Sequence, residues 1–144
     1  MTLKNVNTVL VTVVALFVLY LGLIFILAPG SFTQGVGLPN PPVGDAGGFL
    51  VMKGNRELAM SLVIGILLVT GHRRALGWVL LMEAVAPFGD MINVLTHHGS
   101  PAAAFGIHGL TSVLITATGL LVLRETGKTT LRAPVPASAE PTPR

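Results

Sequence analysis

The residues best suited to chemistry are ionisable side chains that interrupt long apolar stretches of the chain. They are Lys53, Arg56, Glu57, Glu83, Asp90 and His108. Carboxylates and histidine are the groups that most often transfer protons in general acid–base catalysis, which requires neither a nucleophile nor a metal. Whether these side chains can act together depends on the elements that carry them.

The composition is typical of a membrane protein. Of the 144 residues, 51% are hydrophobic and 10% are charged, whereas soluble domains contain roughly 25% charged residues. The mean hydropathy is +0.77. The net charge of +3 comes from basic residues scattered at the ends of apolar segments. This distribution is typical of residues that set the orientation of a membrane protein, and it does not form the basic patch of a nucleic-acid-binding protein, so we predict no nucleic-acid partner. The chain has no cysteine, which excludes thiolate metal sites and disulfides within it.

We predict an all-α fold, a four-helix transmembrane bundle in residues 1–126, followed by a disordered, Pro-rich cytoplasmic tail at 127–144. The expected spans are about 9–27, 49–70, 75–96 and 102–123. A cleaved signal peptide is the rival interpretation of the first span, but the apolar run is too long for one and no typical cleavage site follows it. The second span carries Lys53, Arg56 and Glu57 in its first turns, so it needs partner helices in order to insert.

The Lys and Arg residues of the connecting segments predict the orientation. They precede the first span, lie between the second and third, and follow the fourth, whereas the loops 28–48 and 97–101 contain none. Because cytoplasmic loops of membrane proteins are enriched in Lys and Arg, we expect both termini to face the cytoplasm and the chain to lie in the cell membrane.

This topology brings the ionisable side chains to one depth in the outer half of the bilayer. At 1.5 Å per residue, Asp90 lies about 9 Å below the outer end of the third span, and His108 about as far below the start of the fourth. Glu83 lies deeper. At 100° per residue these side chains occupy one face of each helix. Charged groups within a bilayer face the bundle interior and find partners, so we expect the three polar faces to meet.

The sequence therefore predicts an outer polar pocket. Asp90 or Glu57 would act as the base, and His108 as the acid or as an orienting group. The predicted ligand-binding residues are Lys53, Arg56, Glu83, Thr111 and Ser112. Fully ionised with His108 neutral, the cluster sums to −1, and such a buried charge favours uptake of a proton. In the alternative interpretation, Arg56, Glu57 and Asp90 form a structural ion network.

Two histidines near the outer end of the third span offer a second interpretation. His97 and His98, with His108 and Asp90, could hold a metal ion at the outer side. Their spacing is not that of a metal motif, and histidines at the membrane interface are common. We therefore predict no metal site, and the sequence identifies no cofactor.

Several short motifs resemble a known family. They are the runs Lys53-Gly54-Asn55-Arg56-Glu57-Leu58, Gly71-His72-Arg73-Arg74-Ala75-Leu76-Gly77-Trp78, Pro87-Phe88-Gly89-Asp90 and Ile107-His108-Gly109. In this order they resemble a family of small integral membrane proteins catalogued as a domain of unknown function, and more distantly the DoxX-like four-helix membrane proteins. The resemblance covers about residues 9–123. It implies a four-helix membrane bundle and no particular activity.

Three functional hypotheses remain open from the sequence. In the first, the pocket binds a lipophilic small molecule and catalyses a proton transfer on it, such as an isomerisation or cyclisation. In the second, the protein is a proton-coupled transporter with Glu83 as the deeper station. In the third, it is an accessory subunit that docks a membrane partner or a second copy. In each case the lipid bilayer is the surrounding partner.

Overall fold

The computed structural model describes residues 3–31, 34–40 and 44–130. Within these residues the chain is almost entirely helical and contains no strand. The helices are α1 (Leu3–Leu27), α2 (Gly48–Val69), α3 (Arg73–Glu83), α4 (Val85–Thr96), α5 (Pro101–Ala103) and α6 (Leu110–Thr130); a π-helical segment, the π segment, joins the last two at Ala104–Gly109. Because α3 and α4 form one interrupted column, and α5, the π segment and α6 another, the bundle has four columns. The predicted all-α four-helix fold is confirmed.

Three of the four columns are long and apolar enough to cross a membrane, namely Leu3–Leu27, Arg73–Thr96 and Pro101–Gly127. The remaining helix, α2, has 22 residues, so its length also suffices. It differs in carrying three charges, Lys53, Arg56 and Glu57. The protein is therefore embedded in a membrane, and α2 depends on its neighbours to accommodate those charges.

The helix ends follow from local sequence. Pro29 disfavours helical backbone at the residue before it, and α1 ends at Leu27. Gly71 follows α2 with a φ of 76°, and the Gly71 and His72 amides donate to the Leu68 and Leu67 carbonyls, which is a Schellman motif. In contrast, α6 continues to Thr130, so its last residues lie in the stretch 127–144 that was predicted to be disordered. The rest of that stretch, 131–144, lies outside the described residues.

Glycine pairs allow the helices to approach closely. A Cβ atom added to Gly54 in α2 would lie 2.8 Å from the carbonyl oxygen of Gly22 in α1. Likewise, a Cβ atom on Gly119 in α6 would lie 3.1 Å from the carbonyl oxygen of Gly77 in α3. Small residues at crossings are the usual basis of helix packing in membranes, where apolar side chains gain little by leaving lipid. The two contacts organise the bundle as two tight pairs, α1 with α2 and α3 with α6.

The two pairs join through an apolar core and separate at one end. The core contains Val11, Ile64, Leu76, Leu80, Ala84, Ile115 and Val122, which come from all four columns. Beyond Ala84 the chain continues as α4, which makes no extensive contact with α1 or α2. We call this end, with residues 28–47 and 97–100, the long-loop end. The separation of α4 from α1 and α2 leaves a cavity there.

Candidate functional site

A cavity of about 210 Å³ lies between the two helix pairs in the half of the bundle nearer the long-loop end. It is lined by Phe17, Val18, Leu21, Phe25, Gly35, Val36, Lys53, Glu57, Glu83, Ala86, Pro87, Asp90, Ile107, His108, Thr111 and Ile115. Most of these residues are apolar, and the polar ones come from α2, α4, the π segment and the neighbouring ends of α3 and α6. An apolar cavity with a few convergent polar groups is the usual form of a small-molecule site.

Lys53 connects the polar groups of the cavity. Its Nζ lies 2.8 Å from Oδ2 of Asp90 and 3.4 Å from Oε1 of Glu57. The first contact joins α2 to α4, which the backbones themselves do not bring together, and the second is an i,i+4 pair within α2. Lys53 therefore pairs with two carboxylates at once and spans the opening between the helix pairs. Among the described residues, the cation nearest to Asp90 is Lys53.

His108 is held by a backbone carbonyl. Its Nε2 lies 3.0 Å from the carbonyl oxygen of Val36, and because a carbonyl can only accept, Nε2 must carry a proton and donate. The other ring nitrogen, Nδ1, lies 3.9 Å from Oδ2 of Asp90. This nitrogen can hold a lone pair or a second proton, and in either state it faces the carboxylate.

The π segment sets the position of His108 in the cavity wall. The predicted span 102–123 was expected to be a regular helix, but residues Ala104–Gly109 are π-helical. Two glycines, Gly106 and Gly109, lie in this segment and weaken the α-helical preference. Such π insertions commonly occur at functional sites, because the widened turn redirects one side chain.

Glu83 lies deeper than the Lys53 cluster, in the last turn of α3. It is 8% exposed and lines the cavity. The break after it has a sequence cause, since Pro87 has no amide to donate to the Glu83 carbonyl and its ring clashes with the preceding turn. Among the described residues, no hydrogen bond or ion pair reaches the Glu83 carboxyl.

The structure places most of the predicted site residues around the cavity, with two exceptions. Arg56 is exposed and is not part of the lining, so the prediction that it faces the interior is wrong. At 100° per residue it stands 60° from Lys53 and 100° from Glu57, which turns it out of the bundle. Ser112 is buried, but its Oγ donates to the Ala84 carbonyl at 2.9 Å, so it packs α6 against the α3–α4 break. Thr111 does line the cavity.

Sequence reasoning missed the apolar half of the site. Phe17, Val18, Leu21 and Phe25 of α1 form one wall, and the segment carrying Val36 covers the long-loop end. The Gly37 carbonyl accepts from the Ser100 amide at 2.8 Å, which holds that segment against the start of α5. An apolar residue that faces a cavity has no sequence signal separating it from one that faces lipid, and a backbone carbonyl has none at all.

A second polar cluster at the opposite end of the bundle was also missed. Nη2 of Arg73 lies 3.0 Å from Oε2 of Glu125, and Nδ2 of Asn7 donates to the same oxygen at 2.8 Å. Asn7 also donates to the Leu121 carbonyl at 3.1 Å, and Arg73 to Oγ1 of Thr8 at 3.3 Å. These contacts join α1, α3 and α6, and we call Asn7, Arg73 and Glu125 the clasp. The sequence had assigned Arg73 only a topological role.

The paired histidines have a structural explanation. His98 follows α4 with a φ of 55°, and the Gly99 amide donates to the Val94 carbonyl at 2.8 Å, so the chain turns there as in a Schellman motif. Both His97 and His98 are exposed. Among the described residues, no three His, Asp or Glu side chains are grouped to share a metal ion.

Comparison with known proteins gives one match. The model of a family described as Domain of unknown function (DUF4267) matches residues 15–122, which include every residue that lines the cavity. No curated protein and no solved structure matches the chain significantly. The expected relation to DoxX-like proteins stays a prediction.

Proposed function

The chain belongs to the DUF4267 family, a domain of unknown function, so we propose its function from the cavity. We propose that the protein binds a lipophilic small molecule with a polar head and catalyses a proton transfer on that molecule. The observation that carries this proposal is an apolar cavity into which Asp90 and His108 project together beside Lys53 and Glu57. With the termini cytoplasmic, the long-loop end is the outer one, and the site lies in the outer half of the bilayer.

The walls of the cavity support a ligand that arrives from the membrane. Phe17 of α1 and Ile107 of the π segment line the cavity and are also exposed on the bundle surface, by 41% and 46%. Ala86 of α4 is exposed as well. An opening on this surface faces lipid. The volume of about 210 Å³ is below the roughly 300–1,000 Å³ of pockets that enclose whole drug-sized ligands, so the cavity suits a head group whose apolar body extends into the bilayer.

The Asp90–His108 arrangement supports proton transfer. Oδ2 of Asp90 faces both Lys53 and Nδ1 of His108, so Oδ1 remains for the ligand. With His108 protonated, Asp90 removes a proton from one atom of the ligand while Nδ1 of His108 delivers one to another atom. The proton then returns from Asp90 to His108 and restores the starting state; because the two groups are 3.9 Å apart, this return needs a bridging water or a closer approach of the two side chains. The ligand is isomerised, and no co-reactant is consumed.

The transport alternative gains no support from this geometry. The lining residues lie between the middle of the bundle, where Glu83 is, and the long-loop end. The clasp joins α1, α3 and α6 at the other end. A transport path would need polar groups between the two clusters. The core there consists mainly of residues such as Val11, Ile64 and Leu80, and the buried hydroxyls of Ser61 and Thr118 donate to carbonyls of their own helices.

The experiment that tests the proposal has two stages. The purified protein in phosphatidylcholine nanodiscs is first screened by thermal shift against a membrane lipid extract, quinones and terpenoids. Stabilising compounds are then incubated with the protein in deuterated water, and deuterium uptake is followed by mass spectrometry. We expect a bound compound to gain deuterium, and Asp90→Asn and His108→Gln to slow this by roughly a hundredfold or more while leaving binding in place.

Two results would contradict the proposal. If nothing in the extract or the compound set stabilises the wild-type protein, the cavity is not a binding site. If compounds bind but deuterium uptake is equal in wild type and Asp90→Asn, the site binds without catalysing proton transfer. Arg74→Gln is the matched control, because it removes an exposed charge at the opposite end and should change neither measurement.

A further inference from the structure

The carboxyl of Glu83 is the one ionisable group of the cavity wall that the described residues leave without an ion pair or a hydrogen bond. It is 8% exposed, while Lys53 is occupied by Glu57 and Asp90. An ionised carboxylate that is buried and unpaired is strongly disfavoured, and buried charges in proteins are normally paired. Either a proton or a cation that is not among the described protein atoms must therefore neutralise it.

The net charge of the whole cavity lining is also negative. One cation, Lys53, faces three carboxylates, Glu57, Glu83 and Asp90, so the formal sum is −2 with His108 neutral and −1 with His108 protonated. Arg56, which the sequence had counted into the cluster, is exposed and absent from the lining. The cavity is thus mainly apolar, its ionisable groups carry a formal excess of negative charge, and the carboxyl without an ion pair is that of Glu83.

We propose, as an extension of the function given above, that the ligand is a lipophilic cation whose ammonium group pairs with Glu83. Its apolar body would lie along the α1 wall. The rings of Phe17 and Phe25 belong to that wall, and aromatic faces attract cations. The opening beside Phe17 and Ala86 lets an alkyl or isoprenoid tail remain in lipid while the head enters. A carboxylate ligand would be repelled, and a neutral one would gain no ion pair with Glu83, which would then be neutralised by a proton.

The test compares three probes that share one tail, namely octylamine, octanol and octanoate. Each is titrated against the full-length protein in phosphatidylcholine nanodiscs, and apparent affinity is read from the thermal shift. Because each probe partitions into the same lipid, the ratio of affinities between wild type and variant cancels the membrane contribution. Hydrogen bonds to charged groups contribute enough for roughly a tenfold to hundredfold change in affinity, so we expect octylamine to bind wild type at least about tenfold more tightly than octanol.

Two substitutions at one position isolate the carboxyl. Glu83→Gln keeps the shape and removes the charge, and Glu83→Leu replaces the whole group with an apolar one that suits the cavity wall. In both, octylamine and octanol should bind within about twofold of each other. Glu125→Gln removes a carboxylate of the clasp, outside the cavity. It should lower the melting temperature of the free protein but leave the preference for the amine intact.

The outcomes separate this inference from the function on which it rests. Equal binding of octylamine and octanol by wild type, or an amine preference that survives in both Glu83 variants, overturns the cationic ligand while quinone or terpenoid binding still supports the pocket. Failure of every probe and of the membrane extract to bind overturns the pocket itself. Loss of the amine preference in Glu83→Gln and Glu83→Leu, but not in Glu125→Gln, supports the assignment.

Discussion

Lys53 is the counter-ion shared by two carboxylates, and this arrangement predicts the order of the mutational costs. Its Nζ is 2.8 Å from Asp90 and 3.4 Å from Glu57. At an effective dielectric constant of about 20, these distances correspond to gross attractions of roughly 6 and 5 kcal/mol. Desolvation offsets most of that, and the net stabilisation from a charged hydrogen bond is nearer about 1.5–3 kcal/mol. Loss of Lys53 removes the counter-ion of both carboxylates, whereas loss of the Asp90 charge removes one of two partners of Lys53. The two substitutions should therefore differ in their cost to stability.

Asp90→Asn should be the mild substitution. The amide can still accept from Nζ of Lys53, and Lys53 keeps Glu57 as its counter-ion. We expect a loss of about 1–2 kcal/mol in the free energy of unfolding. Lys53→Met, in contrast, keeps the length and leaves two carboxylates without a cation, at an expected loss of about 3–5 kcal/mol.

The double variant completes the cycle. Once Lys53 is Met, Asp90→Asn removes one of the two stranded charges, so the double variant should be less destabilised than the sum of the single variants by about 1–2 kcal/mol. The assay is reversible unfolding in mixed micelles with increasing dodecyl sulfate, followed by circular dichroism. Arg74→Gln removes an exposed cation and should change stability by less than about 0.5 kcal/mol.

The reasoning fails if Asp90→Asn costs more than Lys53→Met, or if the two costs add without coupling. Either result would mean that Lys53 is not the counter-ion of Asp90 and that the charges of the cavity are balanced in another way. A coupling of the expected size with the expected order would establish that the Lys53 bridge closes the space between α2 and α4.

Two further predictions concern the fold and the orientation. Gly54→Ala places a methyl group against the Gly22 carbonyl and should lower the free energy of unfolding by about 1–3 kcal/mol. The control Gly65→Ala, in the same helix, meets nothing within 4 Å and should be neutral or stabilising. Equal effects of the two substitutions would contradict the close crossing of α1 and α2. Because the chain has no cysteine, single-cysteine variants can report topology in intact cells: Asn40→Cys should react with an impermeant maleimide and His72→Cys should not, and the reverse pattern would place the cavity in the cytoplasmic half.

The sequence predicted the polar half of the site because charges in an apolar helix are conspicuous. Glu57, Asp90 and His108 were selected by depth and helical face, and the structure places all three around one cavity. The error at Arg56 has a geometric origin. Arg56 lies at the edge of the helical face that carries Lys53 and Glu57. The rule that charges in a membrane helix face inward does not distinguish a residue at the edge of a face from one at its centre. Sequence periodicity locates a face, but only packing decides where that face ends.

The apolar wall, the Val36 carbonyl and the π segment were beyond sequence reasoning for separate reasons. The α1 residues Phe17 and Phe25 differ in no property of sequence from the lipid-facing residues beside them. The Val36 carbonyl reaches His108 because the loop is tied to Ser100 through Gly37, a contact between distant parts of the chain. The π segment widens one turn by a local change in hydrogen bonding, for which Gly106 and Gly109 are only a weak signal.

The two polar clusters differ in a way that bears on what the cavity is for. In the clasp, Arg73 forms an ion pair with Glu125, and Asn7 supplies a further donor to the same carboxylate. Within the part of the chain that the structure describes, Asn7 Oδ1 and Arg73 Nε have no hydrogen-bond partner, but the Arg73–Glu125 pair is balanced in charge, as expected of a contact that joins helices. In the cavity, Lys53 pairs with two of three carboxylates, and the third and most buried one, Glu83, faces open space. A purely structural network would gain stability by replacing Glu83 with an apolar residue of similar volume. The unbalanced carboxylate is therefore better explained by a ligand or proton that the cavity receives than by the packing of the helices around it.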